Sequence, residues 1–326
     1  MTSSPSLSTQ FYQLGVVRRV ERWLNAMPHP SLALEIAPDH VAAARWGGSH
    51  GNLESYAIEP LPPGAVMPSP VDANIRQPDA VRVAVRKVLH RVPDRGTPLA
   101  LLLPDPVVRV FILPFETLPR RSDEALPILR WRLKKSVPFD VEETVVSWAR
   151  QKSRQGTLEV LTAVARQRIV REYEEAVESQ GANVGVVLSS TLAVLPLVEE
   201  RGATLLVRMA GRTFTTVVVN GGTLCVYRSS EMHADSSVLD PQAILDESFP
   251  AVAYYQDTWG TTVDRVRISG AGPREEIFRK ALTEELKVSV GTLADAPDVL
   301  SLSSSAKDLV HQDLDALVGW NLNEGA

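Results

Sequence analysis

The same three-strand pattern opens both halves of this chain. Residues 32–36, 41–46 and 53–58 read as strands, with Gly47-Gly48 turning the second into the third. Residues 205–208, 214–219 and 224–229 repeat the theme, with Asn220-Gly221-Gly222 as the hairpin. Two meanders of one design point to internal duplication. The length agrees, since 326 residues exceed the roughly 250–300 at which a single core stops growing, and two lobes follow.

Between and after the meanders, helix and strand signals alternate. Residues 60–70, with five prolines and a glycine, form an irregular loop, followed by a helix at 78–92 and a strand at 99–103. A small unit then reads as a strand at 107–113, a helix at 123–135 that carries Pro127 in its first turn, and strands at 144–151 and 158–165. A helix at 166–180 closes it, with Gly181 as C-cap, and a strand at 184–188 returns to the first lobe. The second lobe continues with a helix at 243–257, a strand at 265–269 entering Gly270-Ala271-Gly272, a helix at 275–286 and one last helix within 308–320. The expected divisions are 1–30, an N-terminal helix and linker; 31–106 and 181–203, the first lobe; 107–180, the inserted subdomain; and 204–326, the second lobe.

Composition narrows the function classes. Hydrophobic residues make up 44% and charged residues 22%, as in a packed globular protein. The net charge of -5 is spread over mixed runs, leaving no basic face for a nucleic acid backbone. Cys225 stands alone in an apolar stretch, so it reads as a buried thiol with no disulfide partner. The most apolar run, residues 99–113, is interrupted by Pro104, Asp105, Pro106 and Arg109 and falls short of the roughly 20 residues a spanning helix needs. Residues 1–10 are polar and lack the apolar core of a secretory signal, which makes the cytoplasm the expected location. Residues 11–25 place Val16, Val17, Val20, Trp23 and Leu24 at helical spacing among arginines. That amphipathic helix is expected on the protein's own body; a partner or an anionic membrane surface are the alternatives. Pro28 and Pro30 end it, and the globular body starts at Ser31.

An ordered series of short motifs carries a family resemblance. It begins with Leu61-Pro62-Pro63-Gly64-Ala65-Val66 ahead of a helix and Leu113-Pro114 followed by Pro119. It continues through Ser136-Val137-Pro138-Phe139-Asp140-Val141-Glu142-Glu143, Leu161-Thr162-Ala163-Val164-Ala165-Arg166, Gly181 before a strand, and Val263-Asp264-Arg265-Val266-Arg267-Ile268-Ser269-Gly270. In this order the motifs resemble the PilM family of type IV pilus assembly proteins, within the actin-like ATPase (FtsA/PilM) superfamily. The resemblance spans about residues 31 to 320. It implies an α/β, actin-like (ribonuclease H-like) two-lobed fold with a small inserted FtsA/PilM-type subdomain. In such relatives the first meander turn reads Asp-x-Gly with a Lys or Thr beyond it, where backbone amides cradle phosphate and the acid organises magnesium.

This sequence departs from that pattern at both turns. The first turn has Glu35 for Asp and Ala37 for Gly, Pro38 removes an amide, and Ala42 stands where a cation is usual. The second, through Arg208, Ala210, Gly211 and Thr213, puts an arginine where a second acid belongs. An arginine can hold an anion but cannot ligate magnesium. Thr213, Thr215 and Thr216 are discounted as phosphate hydroxyls, since alternation makes two of them ordinary strand residues. The adenosine-side turn, Ser269, Gly270 and Gly272, is better kept and leaves a purine open. No cofactor is therefore expected, with ATP and magnesium as the alternative.

The resemblance implies a non-enzymatic scaffold of a pilus-like or related secretion machine, bound to the cytoplasmic N-terminal segment of a PilN-like inner-membrane protein and to other pilus components. The implied groove lies around Val137, Pro138, Phe139 and helix residues 128–135, with Trp131 and Leu133 as anchors. Alternatively, Pro138 and Phe139 simply seal the subdomain core. A working ATPase, a sugar or acetate kinase, and the cytoplasmic half of a GspL-type secretion protein remain competing readings. No metal site is expected from the six dispersed histidines, and no Gly-x-Ser-x-Gly elbow, Walker loop or Cys-His pair occurs.

Overall fold

The computed structural model describes residues 30–47, 52–93, 95–152, 157–199, 201–233 and 238–322; the amphipathic segment 11–25 lies outside them. The strands are β1 Leu32–Ile36, β2 His40–Gly47, β3 Asn52–Pro60, β4 Leu99–Leu103, β5 Arg109–Phe115, β6 Thr144–Lys152, β7 Leu158–Arg166, β8 Val184–Ser189, β9 Ala203–Ala210, β10 Thr213–Asn220, β11 Thr223–Glu231, β12 Arg265–Ser269 and β13 Ser289–Thr292. The helices are α1 Pro78–Arg91, α2 Ser122–Leu133, α3 Gln167–Glu178, α4 Ser190–Val194, α5 Pro241–Trp259, α6 Glu275–Leu286, α7 Pro297–Leu300, α8 Ser304–His311 and α9 Asp315–Leu322.

The first lobe is a sheet of order β3-β2-β1-β4-β8 and the second a sheet of order β11-β10-β9-β12-β13, so the duplication extends through all five strands of each. In both lobes the meander is antiparallel and the later strands add in parallel. β1 and β4 are buried on both faces; β4 is an unbroken apolar run and β1 is apolar but for Glu35, as expected of central strands in a two-sided sheet. One face of the first sheet packs on α1 and α3, through Leu34, Val85, Ile169 and Tyr173 among others. The outer face of the second packs on α5 and α6, through Phe214, Tyr255 and Phe278. The two inner faces share a core with α4, α8 and α9.

Between β4 and β8 the chain makes a three-stranded sheet of order β5-β7-β6. α2 covers one face of it through Ala125 and Leu129. The other face turns Val110, Ile112 and Leu161 into the interlobe core, and Gln151 Nε2 donates to the Leu224 carbonyl at 2.7 Å.

Three features differ from expectation. α3, expected to close the subdomain, lies on the first-lobe sheet, because Ile169, Tyr173 and Val177 form an apolar stripe that β1 and β4 bury. Pro127 sits beyond the first turn of α2, inside the helix. The expected single tail helix is two, α8 and α9, broken where Asp313 takes a left-handed φ of 59°. That break sends α9 back onto the first lobe, against α4 and β1. Gly319 makes this crossing possible: a Cβ there would stand 2.3 Å from the Ala193 carbonyl oxygen. Trp320 Nε1 completes the return with a 3.0 Å hydrogen bond to the carbonyl of Pro30.

Candidate functional site

The two meander turns meet between the lobes. Glu35 lies near the end of β1 on the first lobe and Arg208 near the end of β9 on the second; both are buried. Arg208 makes a two-pronged contact with Asp315, Nε to Oδ2 at 3.0 Å and Nη2 to Oδ1 at 2.9 Å. Its Nη2 is 3.9 Å from Glu35 Oε1 and its Nη1 is 3.9 Å from Asp105 Oδ2, within ion-pair reach but beyond a hydrogen bond. Asp315 opens α9, and Asp105 sits in the 3₁₀ turn Asp105–Val107 that follows β4. One guanidinium thus lies among three buried carboxylates.

Much of the remaining capacity of the acids is taken by nearby donors. Ser269 Oγ donates to Asp315 Oδ2 at 2.6 Å, and the Ala316 amide to Oδ1 at 2.9 Å. Asp105 accepts from the Thr191 amide at 2.9 Å, the Thr191 hydroxyl at 2.5 Å and the Thr215 hydroxyl at 2.9 Å. Ser190 Oγ lies 2.6 Å from Glu35 Oε1. Glu35 Oε2 and Arg208 Nη1 are buried without a hydrogen bond, so the cluster is tolerable through its other pairings, and removing one member typically costs about 3–5 kcal/mol.

Charge states follow the same geometry. Burial alone would lower the Arg208 pKa, but Asp315, Asp105 and Glu35 outweigh it and hold the guanidinium charged. Burial raises the Glu35 carboxyl above its ordinary value, with Arg208 and His40 opposing. At His40, burial is outweighed by the Asp39 carboxylate 2.8 Å from Nδ1 and by Glu35, so the ring holds its proton to higher pH than usual.

The turns themselves are closed. The Ala37 amide is spent on the His40 carbonyl at 2.9 Å. Gly211, at φ 57° in the second turn, faces Pro38 of the first: a Cβ on Gly211 would meet the Pro38 ring at 3.8 Å, so the two turns stand about one side-chain carbon apart. Ala42 pairs with Glu35 across β1 and β2 and is wholly buried. Ala210 pairs with Thr213 at the β9–β10 turn. Of the three threonines it is Thr215 that reaches Asp105 across the lobes, a structural contact that strand alternation does not reveal.

Ser269, Gly270 and Gly272 border an open groove of about 430 Å³, shared with Glu275, Asp295, His311 and Asp313. Gly270 is at φ 73°, and a Cβ there would stand 1.8 Å from the Met209 carbonyl oxygen. The glycine is therefore required by the packing of β12 on β9, whatever the groove holds. Among the described residues no cluster of His, Cys, Asp and Glu is arranged to hold a metal ion.

The second set of candidate residues lies on the subdomain. Trp131 projects from α2 with 75% of its surface exposed, and Ile128 is exposed one turn before it. Leu133, expected as an anchor, is fully buried and unavailable to a partner: it is on the helix face that packs on Val141 and Val164. Val137 and Phe139 are half-buried against the same cluster, and Pro138 is exposed. Phe139 thus seals part of the subdomain core while keeping an open edge. Asp105, Ser190, Thr191 and Asp315 went unrecognised; only the oddity of an acid between two prolines in an apolar run marked the first.

No protein-family model matches the chain, and no curated protein matches its sequence. Among solved structures, it is similar to a chain of the PilM-PilN type IV pilus biogenesis complex, with a TM-score of 0.69, 18% identity, and 91% of this chain and 98% of that one covered. It is also similar to a Bacteroides thetaiotaomicron protein of unknown function with an actin-like ATPase fold, with a TM-score of 0.51, 9% identity, and 90% and 97% covered. Two duplicated sheets, an inserted three-stranded subdomain and this likeness along nearly the whole chain give it the actin-like ATPase fold, on the same plan as the chain of the pilus complex.

Proposed function

We propose that this protein is a non-catalytic scaffold of a type IV pilus-like or related secretion assembly machine, working at the inner face of the inner membrane by binding the cytoplasmic N-terminal segment of a PilN-like membrane protein. The observation that carries the non-catalytic part is Arg208. It fills the place between the turns with a fixed positive charge that already has three carboxylates around it. A nucleotide with magnesium at this place would have to displace that ion cluster and widen the space between Pro38 and Gly211, and breaking a buried ion pair typically costs about 3–5 kcal/mol. The partner half rests on the likeness to the pilus complex and on the exposed Trp131 and Ile128 beside basic Arg132, Lys134 and Lys135, a surface suited to an apolar, partly acidic peptide.

A nucleotide-switched ATPase is the second reading, favoured by the open groove beside Gly270 and Gly272. Calorimetric titration with a synthetic peptide of the cytoplasmic N-terminal segment of the PilN-like protein from the same genome tests the scaffold. Binding that Trp131→Ala weakens at least tenfold is expected, while no heat from the peptide would remove the proposal.

A further inference from the structure

We infer that the Arg208 cluster is a standing latch that holds the two lobes closed without any ligand, so that the conformation offered to a partner is permanent. This rests on the scaffold reading but concerns how the fold is kept in one state.

The polarity of the cluster carries the argument. Every acceptor belongs to the first-lobe framework: Glu35 on β1, Asp105 after β4 and Asp315 on α9, which packs against α4 and β1. The donors that cross the gap, Arg208 of β9, Thr215 of β10 and Ser269 of β12, all belong to the second-lobe sheet. Each of those three strands sends one polar side chain across, and each side chain finds a carboxylate. Opening the gap would strand the buried Asp105 and Asp315 carboxylates on one side and the Arg208 guanidinium on the other, with only Glu35 keeping a second cationic neighbour, His40. Pro38 and Gly211 approach each other across the same gap from the turn side. A hinge that needs a ligand to close would leave the charges facing each other through solvent until the ligand arrived; here the protein's own side chains join them.

The test measures the separation of the lobes. Spin labels are placed at Arg86→Cys on α1 and Lys280→Cys on α6, both exposed, in a Cys225→Ser background, Cys225 being buried. Double electron–electron resonance on the full chain should give one narrow distance that Mg-ATP leaves unchanged. Arg208→Ala should broaden the distribution and shift it to longer distance, and Asp315→Asn, which keeps its shape and leaves Arg208 facing Glu35 and Asp105, should broaden it less. Should Arg208→Ala fail to fold, Asp315→Asn alone reads the latch. Distributions in the foldable variants that match the unsubstituted protein would overturn the inference, and so would a wild-type distance that moves on adding Mg-ATP. A narrow, nucleotide-independent distance in a protein that ignores the PilN-like peptide would sink the scaffold reading and leave the latch intact.

Discussion

Glu35 and His40 sit on either side of the first turn, and both hold protons to higher pH than their free side chains do. The sign of their contribution follows by linkage. A group whose pKa is raised on folding adds stability below its unfolded value, 4.5 for Glu35 and 6.5 for His40, and that stability is lost as pH rises through the folded value. Stability should therefore fall from mildly acidic toward neutral pH, and Glu35→Gln should flatten the lower part of that slope in urea titrations at stepped pH. An unchanged slope would mean that Glu35 does not titrate in this range. Gly270 offers a second test at this scale. Gly270→Ala forces a Cβ into the Met209 carbonyl at a left-handed φ and should cost about 3 kcal/mol or more, with or without nucleotide present. A loss below 1 kcal/mol would point to a ligand role for the glycine in place of the packing role.

α2 separates two roles on one helix. Leu133 and Leu129 face the subdomain sheet and are fully buried, while Trp131 faces solvent. Leu133→Ala should cost about 2–5 kcal/mol by leaving a cavity, and Trp131→Ala should stay within about 0.5 kcal/mol, both read from chemical denaturation. Equal losses would place Trp131 in the core after all. Much of this element was legible: residues 123–135 read as a helix despite Pro127. Which of Trp131 and Leu133 pointed outward was not, because residues two apart on a helix face roughly opposite sides and tertiary packing chose which side met the sheet. The tail shows the same limit. Nothing at Gln312 to Leu314 carries a glycine or proline, so the break that places Asp315 at a helix start left no local mark; Asp313 enters left-handed backbone because burial of Leu314 and α9 repays it.

At the scale of the whole molecule, the lobes are joined by an apolar core built on α4, α8 and α9 and by the charge cluster above it. A ligand present at a hundred times its Kd adds about 2.7 kcal/mol of stability. Mg-ATP should therefore leave the melting temperature unchanged if the gap is already filled, and a rise of several degrees in scanning calorimetry would reverse that expectation. The amino-acid sequence by itself determined the duplicated meanders, the inserted unit, the altered turns and the glycine-bearing strand end, since each is written in residues close together along the chain. Only the tertiary structure decided what Arg208 does. Its acids come from positions 35, 105 and 315, and no local pattern specifies a partner brought across two lobes by burial.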